Sequence, residues 1–226
     1  MKPFYFLSWI AVMLFYTNVS VASPPSSSTV TIRGHLRGGM SKMVVDWGKL
    51  AAGTESAGYG DGELHPRFIP QLGLAAGYRL NSLITFLGGV DMTISGFGVK
   101  SEGYTRKDTL ASVAFPLGVL FSPGRVRVAT LLAPSYMLNG KATTDSFGQS
   151  TTVRYDENNW RDIRRLNLTS GVTIGYAFFQ QGAEIIPGLS FEMDLLNTAK
   201  GDLARLYGIK MYRMALMLSL EIVLGI

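Results

Sequence analysis

Apolar and polar residues alternate with a period of two along the later part of the chain. Between Leu166 and Phe178 nearly every second residue is large and apolar, and the residues between them are small or polar. Successive side chains of a β-strand point to opposite faces, so this pattern predicts a strand with one apolar and one polar face. Segments 184–195 and 212–224 follow the same rule. Such strands are typical of transmembrane barrels, which face lipid outside and a polar interior.

Five earlier segments alternate less regularly, at 29–45, 68–80, 83–98, 110–122 and 126–139. Short turns at 80–82, 122–125 and 179–182 alternate with longer polar stretches at 46–67, 100–109, 140–165 and 197–206. Transmembrane barrels have short periplasmic turns and longer external loops, which predicts that both termini are periplasmic. The predicted fold is therefore all-β: an eight-stranded antiparallel transmembrane β-barrel.

Four prolines fall inside the predicted strands: Pro70, Pro116, Pro134 and Pro187. Proline has no amide hydrogen to donate to the neighbouring strand. We therefore expect each of them to lie at a β-bulge or at the end of a hydrogen-bonded stretch.

The composition points to a membrane protein without spanning helices. The chain is 47% hydrophobic and only 16% charged, with mean hydropathy +0.20, whereas soluble domains carry about 25% charged residues. After residue 22 there is no continuous apolar run of the roughly 18 residues that a spanning helix needs. Helices and closed barrels are the two structures that can span lipid, so the barrel remains. A soluble β-sandwich is the competing fold, but it would not need an apolar outer face on every strand.

The first residues predict export. Lys2 precedes an apolar stretch over 4–16, and the small residues Ser20 and Ala22 suit a signal peptidase. We expect a signal peptide over 1–22, an extended linker over 23–28 and the barrel over 29–226; an uncleaved membrane anchor is the alternative. The formal net charge of +5 permits contact with outer-membrane lipid and lipopolysaccharide phosphates. No nucleic-acid partner is expected for an exported chain.

Charged residues recur on the predicted inner face. An eight-stranded barrel is too narrow for an aqueous channel, because side chains fill it. We therefore interpret the inward charges as a neutralised structural cluster, with a proton or solute path as the alternative. The predicted lumen cluster comprises Arg33, His35, Arg37, Glu184, Glu192, Asp194, Arg213 and Glu221.

The third long connection is a candidate binding loop. Arginine and aromatic residues are enriched at contact hot spots, so this loop suits a protein partner or lipopolysaccharide. A solvated loop whose arginines meet lipid headgroups is the alternative. The candidate residues are Arg154, Tyr155, Trp160, Arg161, Arg164 and Arg165.

Catalysis has one candidate base. His65 follows Ser56, Asp61 and Glu63, and a serine–histidine–acid arrangement is conceivable there because such triads are defined by geometry. These residues are also ordinary loop composition, so no catalytic residue is assigned. The chain has no cysteine and two distant histidines, a pattern that predicts neither a metal site nor a cofactor.

The chain resembles the PorT-like outer-membrane barrels of the Bacteroidota. The resemblance covers the mature chain and rests on residues 32–41, 114–121, 171–176 and 186–191. These are strand patterns, so the resemblance implies the fold and supplies no catalytic residue. Many outer-membrane barrels end in an aromatic residue, whereas this sequence ends Leu224-Gly225-Ile226.

The resemblance implies that some relatives are accessory parts of the type IX secretion system. The leading hypothesis is a non-enzymatic barrel that anchors or assists a protein secretion complex. The alternatives are a barrel enzyme that modifies lipid A or cleaves peptides through His65, and a surface adhesin or ligand-binding barrel that uses the loop at 140–165.

Overall fold

A computed structural model describes residues 29–46, 63–101, 104–155, 163–180, 183–199 and 210–225. The predicted signal peptide and linker lie outside the described residues. Within the described ranges, no helix is long and apolar enough to cross a membrane. The strands are β1 Val30–Asp46, β2 Glu63–His65, β3 Arg67–Arg79, β4 Ile84–Ser101, β5 Tyr104–Ala114, β6 Leu117–Phe121, β7 Val126–Ser146, β8 Gln149–Arg154, β9 Leu166–Tyr176, β10 Phe178–Gln180, β11 Ala183–Asp194 and β12 Lys210–Gly225.

These strands close into a ring of eight antiparallel barrel strands. The order around the ring is β1, β3, β4, β5 with β6, β7, β9, β11 and β12. β5 and β6 are two parts of one barrel strand, because both pair with β4 and β7. β1 and β12 close the ring along their whole length, from Thr31 opposite Gly225 to Asp46 opposite Lys210. The predicted eight-stranded barrel is confirmed.

The outer face of the ring is apolar on every barrel strand. Leu72, Leu74 and Leu117 are each more than 60% exposed, and most of the outward apolar side chains on other strands are exposed to a lesser degree. Aromatic residues lie towards both ends of this band, with Tyr78 and Tyr176 at one end. A soluble sandwich would bury these side chains, whereas a transmembrane barrel presents them to lipid between two aromatic girdles.

The two ends of the barrel differ. At one end, which we call the turn end, lie the first residue of β1, the last residue of β12 and the short connections after β3 and β6. Asn81 and Gly124 belong to these connections; Asn81 Oδ1 accepts the backbone amides of Leu83 and Ile84 at 2.9 Å. The opposite end, the loop end, carries the connections after β1, β4, β7 and β11.

The strands at the loop end are longer than predicted. β4 continues to Ser101 and β5 begins at Tyr104, so most of the predicted loop at 100–109 belongs to a β-hairpin. β7 continues to Ser146 and turns through Phe147 and Gly148, both with positive φ, into β8. These extensions lie beyond the apolar band, where neither face needs apolar residues, so the alternation that located the other strands is missing.

The prolines lie where hydrogen-bonded stretches end, as expected. Pro116 lies in the short break between β5 and β6, and Pro134 lies between the pairings of β7 with β5 and with β6. Pro70 and Pro187 each pair with one neighbouring strand and immediately precede the ladder to the other, which begins at Gln71 and Gly188 respectively. The described bulge falls elsewhere, where Leu138 of β7 is the extra residue facing Ala111 and Ser112 of β5.

Apolar side chains close the interior at both ends. At the loop end, Met43, Phe97, Leu110, Met137 and Ile163 form one buried cluster. At the turn end, Ala177, Phe179, Ile186 and Val223 form another. We call these the loop-end plug and the turn-end plug. The polar interior lies between them.

Gly73 provides a test of interior crowding. A Cβ added there would lie 2.0 Å from Asp91 Oδ1 and 2.4 Å from His35 Nε2, so Gly73→Ala is expected to destabilise the barrel by about 1–3 kcal/mol through overpacking. Gly34→Ala is the control, because its Cβ would meet only the side chain of Leu74, at 3.7 Å. Urea unfolding in detergent micelles measures both. Equal stability of the two variants would contradict the packing described here.

Candidate functional site

Asp91 of β4 lies at the centre of the interior and is 2% exposed. His35 Nε2 of β1 lies 2.9 Å from Asp91 Oδ1, and Arg37 Nη1 lies 3.9 Å from Oδ2. Gln71 Nε2 of β3 donates to Oδ2 at 2.8 Å. Gly73 stands between His35 and Asp91 in the register of the three strands. Because Gly73 has no side chain, the imidazole and the carboxylate meet across β3.

Glu192 of β11 extends this group around the barrel. Arg37 Nη1 donates to Glu192 Oε1 at 3.2 Å, and Arg213 Nη2 donates to Oε2 at 3.3 Å. Arg213 Nε lies 3.4 Å from Asp194 Oδ1, which also accepts a hydrogen bond from Thr169 Oγ1 at 3.1 Å. A connected chain of charges therefore crosses the interior from β4 to β9.

Two further ion pairs lie nearer the turn end. Arg33 Nε is 2.5 Å from Glu221 Oε1. Arg127 of β7 pairs with Glu184 of β11 and donates to the carbonyl of Gly124 at 2.7 Å. Both arginines are almost fully buried, so each guanidinium depends on its carboxylate for neutralisation.

The structure brings together the eight residues of the predicted lumen cluster, all in ion pairs inside the barrel. It adds Asp91, Gln71 and Arg127, which the sequence analysis did not include. Strand parity could have located Asp91, since it falls on the polar face of its predicted strand. Arg127 follows the predicted turn at 122–125, where parity has few residues to establish it.

A cavity of about 40 Å³ lies between this network and the loop-end plug. Arg37, Asp91, Asn167, Glu192 and Arg213 are among its lining residues. It has room for two or three water molecules. The charged groups among its lining residues give such waters hydrogen-bonding partners.

A second polar group lies at the loop end beyond the plug. Asp108 of β5 is fully buried and accepts two hydrogen bonds from Arg106, at 2.9 and 3.0 Å, and one from the hydroxyl of Tyr155. Arg67 Nη1 donates to the carbonyl of Asp108 at 3.2 Å. Burial, and then the negative charge of Asp108, raises the pKa of Tyr155 above its usual value. Burial alone would lower the pKa of Arg106, but the bonds and charge of Asp108 raise it overall.

The candidate loop residues separate into different environments. Arg154 is exposed on β8, whereas Tyr155 is half-buried against Asp108. Arg164 is exposed, and Arg165 lies over the ring of Tyr136, with its guanidinium carbon 4.7 Å from the ring centre. Trp160 and Arg161 lie outside the described residues. The sequence alone could not show that Tyr155 is less exposed than its neighbours, because its partner Asp108 is far away in the chain.

The suggested catalytic arrangement is only partly visible. His65 is half-buried at the end of β2, opposite Gly98 of β4. Ser56 and Asp61, its suggested partners, lie outside the described residues. Within the described ranges, no group of three histidine, aspartate or glutamate side chains is placed to hold a metal ion.

Removing Glu192 should unbalance the interior. Glu192→Gln leaves Arg37 and Arg213 buried without their shared carboxylate, and we expect a loss of about 3–5 kcal/mol in the free energy of unfolding. Asp145→Asn serves as the control, because Asp145 lies at the rim and makes no ion pair with another described residue. Denaturant unfolding in micelles compares the two. Stability of Glu192→Gln equal to that of the control would contradict the neutralising role of Glu192.

The hydroxyl of Tyr155 gives a pH-dependent prediction. Tyr155→Phe loses a hydrogen bond to a buried carboxylate, and we expect destabilisation of about 1.5–3 kcal/mol at neutral pH. The raised pKa favours the neutral phenol, so this contribution is fully present below pH about 10, the usual tyrosine value, and is lost as the pH rises through the raised pKa. Stability curves of both proteins from pH 7 upwards measure the difference. A difference that grows with pH would contradict the assignment.

The chain was compared with known proteins. No family model matches the chain, and no curated protein matches it. Among solved structures, it is similar to Ail of Yersinia pestis, with 16% identity, TM-score 0.38, and coverage of 84% of this chain and 97% of Ail. For the Neisserial surface protein A the values are 12%, 0.39, 88% and 98%. For the outer membrane protease OmpT from Escherichia coli they are 7%, 0.42, 92% and 100%.

At these scores nothing about the activity of the chain follows from its neighbours. Its own architecture carries the assignment, because a closed antiparallel ring with an apolar outer band is the form in which strands cross an outer membrane. The chain has the fold of an eight-stranded transmembrane β-barrel.

Proposed function

We propose that this barrel is non-enzymatic and anchors a partner protein, as an accessory component of a protein secretion complex. Type IX secretion is the complex to which the sequence resemblance points. The observation that carries the proposal is a polar sheet that continues the wall beyond the apolar band and ends in β8, whose second edge pairs with no described strand. In this proposal both termini are periplasmic, as short turns at one end and longer loops at the other favour, so this sheet faces the cell exterior.

The paired charges of the interior support a role that does not involve transport through the barrel. The ion pairs cross the space between the two plugs, and each described interior carboxylate has a cationic partner. Desolvated, mutually paired charges hold one another in place. The groups available to a partner therefore lie outside the barrel.

The sheet beyond the rim has five strands in the order β2, β4, β5, β7, β8. We call it the rim sheet and define it by Glu63–His65, the ends of β4 and β7, the start of β5, and β8. The hydroxyls of Thr143 and Thr152 lie 3.1 Å apart across its last strand pair. All six residues of β8 are exposed.

β8 presents a free hydrogen-bonding edge. The amide of Tyr155 donates to the carbonyl of Gly140 at 2.9 Å, and hydrogen-bonded pairs alternate along an antiparallel ladder. The amides of Ser150, Thr152 and Arg154 therefore point away from β7. Among the described strands, only β7 pairs with β8. An extended segment of a partner can add to such an edge as a further strand.

A proline on this edge tests the proposal. Thr152→Pro removes one outward amide and leaves the ladder to β7 intact, whereas Thr152→Val removes the hydroxyl and keeps the amide. We expect Thr152→Pro to reduce recovery of secretion-complex subunits from mildly solubilised membranes at least tenfold, and to retain cargo in the periplasm. Thr152→Val should leave both unchanged. Quantitative mass spectrometry of the purified barrel and of the culture medium provides the measurement.

A photo-crosslinking residue locates the contact. Placed at Thr152, it should join the barrel to one secretion subunit; placed at Leu117 on the lipid face, it should not. Normal secretion by Thr152→Pro together with an uncrosslinked barrel would reject the proposal. Crosslinking to a host or surface ligand with normal secretion would favour the adhesin function instead.

A further inference from the structure

We infer that the outer face of the rim sheet binds the phosphate groups of the glycolipid in the surrounding outer leaflet. The site is a row of four cations on adjacent strands: Lys100 of β4, Lys107 of β5, Lys141 of β7 and Arg154 of β8. We call it the basic row. Its assignment to the outer leaflet rests on the orientation given under the proposed function.

The strand register places these side chains on one face. Asp108 and Leu110 of β5 are buried inside the barrel. Successive side chains of a strand point to opposite faces, so Lys107, which directly precedes Asp108, points outward. Lys107 lies opposite Thr143, and Lys141, two residues before Thr143, lies opposite Arg154. Lys107 and Lys141 are therefore diagonal neighbours, and such neighbours lie within reach of long side chains.

Lys100 completes the row on the other side. It lies opposite Thr105, two residues before Lys107 on the same face of β5. Lys100, Lys107, Lys141 and Arg154 are all exposed. The four cations thus run diagonally across four neighbouring strands.

None of the four cations makes an ion pair with another described side chain, and Glu63 of β2 lies opposite Lys100 in the strand register. Lys141 and Arg154 lie directly opposite each other at a position without ladder hydrogen bonds, where side chains approach most closely and like charges destabilise the sheet. Asp145 is the one described acidic side chain on this face of β5, β7 and β8; it lies diagonally across from Lys107 and away from the directly opposed pair Lys141 and Arg154. An external anion between the cations would relieve their repulsion.

The contrast with the interior strengthens this reading. Asp91, Glu184, Glu192, Asp194 and Glu221 all point inward and are engaged by interior arginines or His35. These five acidic groups are thus paired inside the barrel, whereas the four cations of the basic row are exposed on the outside of the rim sheet.

The row lies at the height of lipid headgroups. On β5 the apolar outer face ends at Val113 and Ala111, and Lys107 lies four residues before Ala111, roughly 13 Å along the strand towards the loop end. Tyr136 of β7, with Arg165 stacked on its ring, marks the same boundary. Lysine side chains extend towards a membrane interface along their aliphatic stems. The row can therefore meet phosphates at and just above the headgroup layer.

Charged lipid is a better match than a protein for this face. The row continues directly from the lipid-facing band, so a lipid already in the annular shell can reach it without leaving the membrane. Ammonium and guanidinium groups form charge-assisted hydrogen bonds with phosphate oxygens. Four cations on adjacent strands suit the two phosphates of a bis-phosphorylated lipid A headgroup.

The test uses the full barrel in detergent micelles and lipid A as the probe. Native mass spectrometry measures binding of bis-phosphorylated lipid A, the same lipid after dephosphorylation, and phosphatidylglycerol. We expect the phosphorylated lipid A to bind at least tenfold more tightly than the other two. Phosphate-independent binding, or equal binding of phosphatidylglycerol, would overturn the inference.

Charge-matched variants assign the site. Lys107→Gln with Lys141→Gln should abolish the preference for phosphorylated lipid A, and Lys107→Arg with Lys141→Arg should retain it. Lys42→Gln with Arg125→Gln removes the same charge from other parts of the surface and should also retain it. Equal loss in this control would overturn the inference. Co-purification of secretion subunits with the Gln variant tests the proposed function separately, because the β8 edge is unchanged.

Discussion

Closure of the sheet between β1 and β12 is the constraint from which the rest of the structure follows. A spanning strand in lipid has no water to satisfy its amides and carbonyls, so every edge has to be paired. The pairing of β1 with β12 removes the last edge. Eight strands close only around a narrow interior, and that interior has to be filled by side chains. The charged side chains and the plugs fill this interior, and the glycines leave room for them.

Charge in such an interior has to be balanced locally. Glu192 serves two arginines and Asp91 is shared by His35, Arg37 and Gln71, so the network links strands that are distant around the ring. Gly73 also belongs to this network, because its missing side chain lets His35 of β1 contact Asp91 of β4 across β3. Replacing one member therefore disturbs the packing of several strands.

The sequence predicted the strands of the transmembrane part, but it did not predict the strand extensions beyond the membrane at the loop end. Alternation predicted which residues of β9, β11 and β12 face lipid, because burial in lipid imposes a period of two on the outer face. Beyond the membrane both faces of β5, β7 and β8 are polar, and this constraint disappears. The pairing of Asp108 with Tyr155 depends on the β7–β8 hairpin, so neither residue could be recognised before the hairpin was known. The proline positions also followed from the sequence, because Pro70, Pro134 and Pro187 each lie where the ladder to one neighbouring strand ends and no amide donor is needed there.

Leu138, the extra residue of the bulge, shifts the alternation of inward and outward side chains along β7 by one residue. Before it, odd-numbered residues such as Arg127 and Met137 point into the barrel; after it, Ala142 points inward and Lys141 outward. Deletion of Leu138 would leave a regular strand in which Lys141 still points outward and Ala142 inward. A strand that kept Leu138 without the bulge would instead turn the upper part of β7 inside out, placing Lys141 beside Asp108 and Ala142 in the lipid headgroups. The phase of the alternation in the membrane wall therefore cannot be extrapolated to the surface above it.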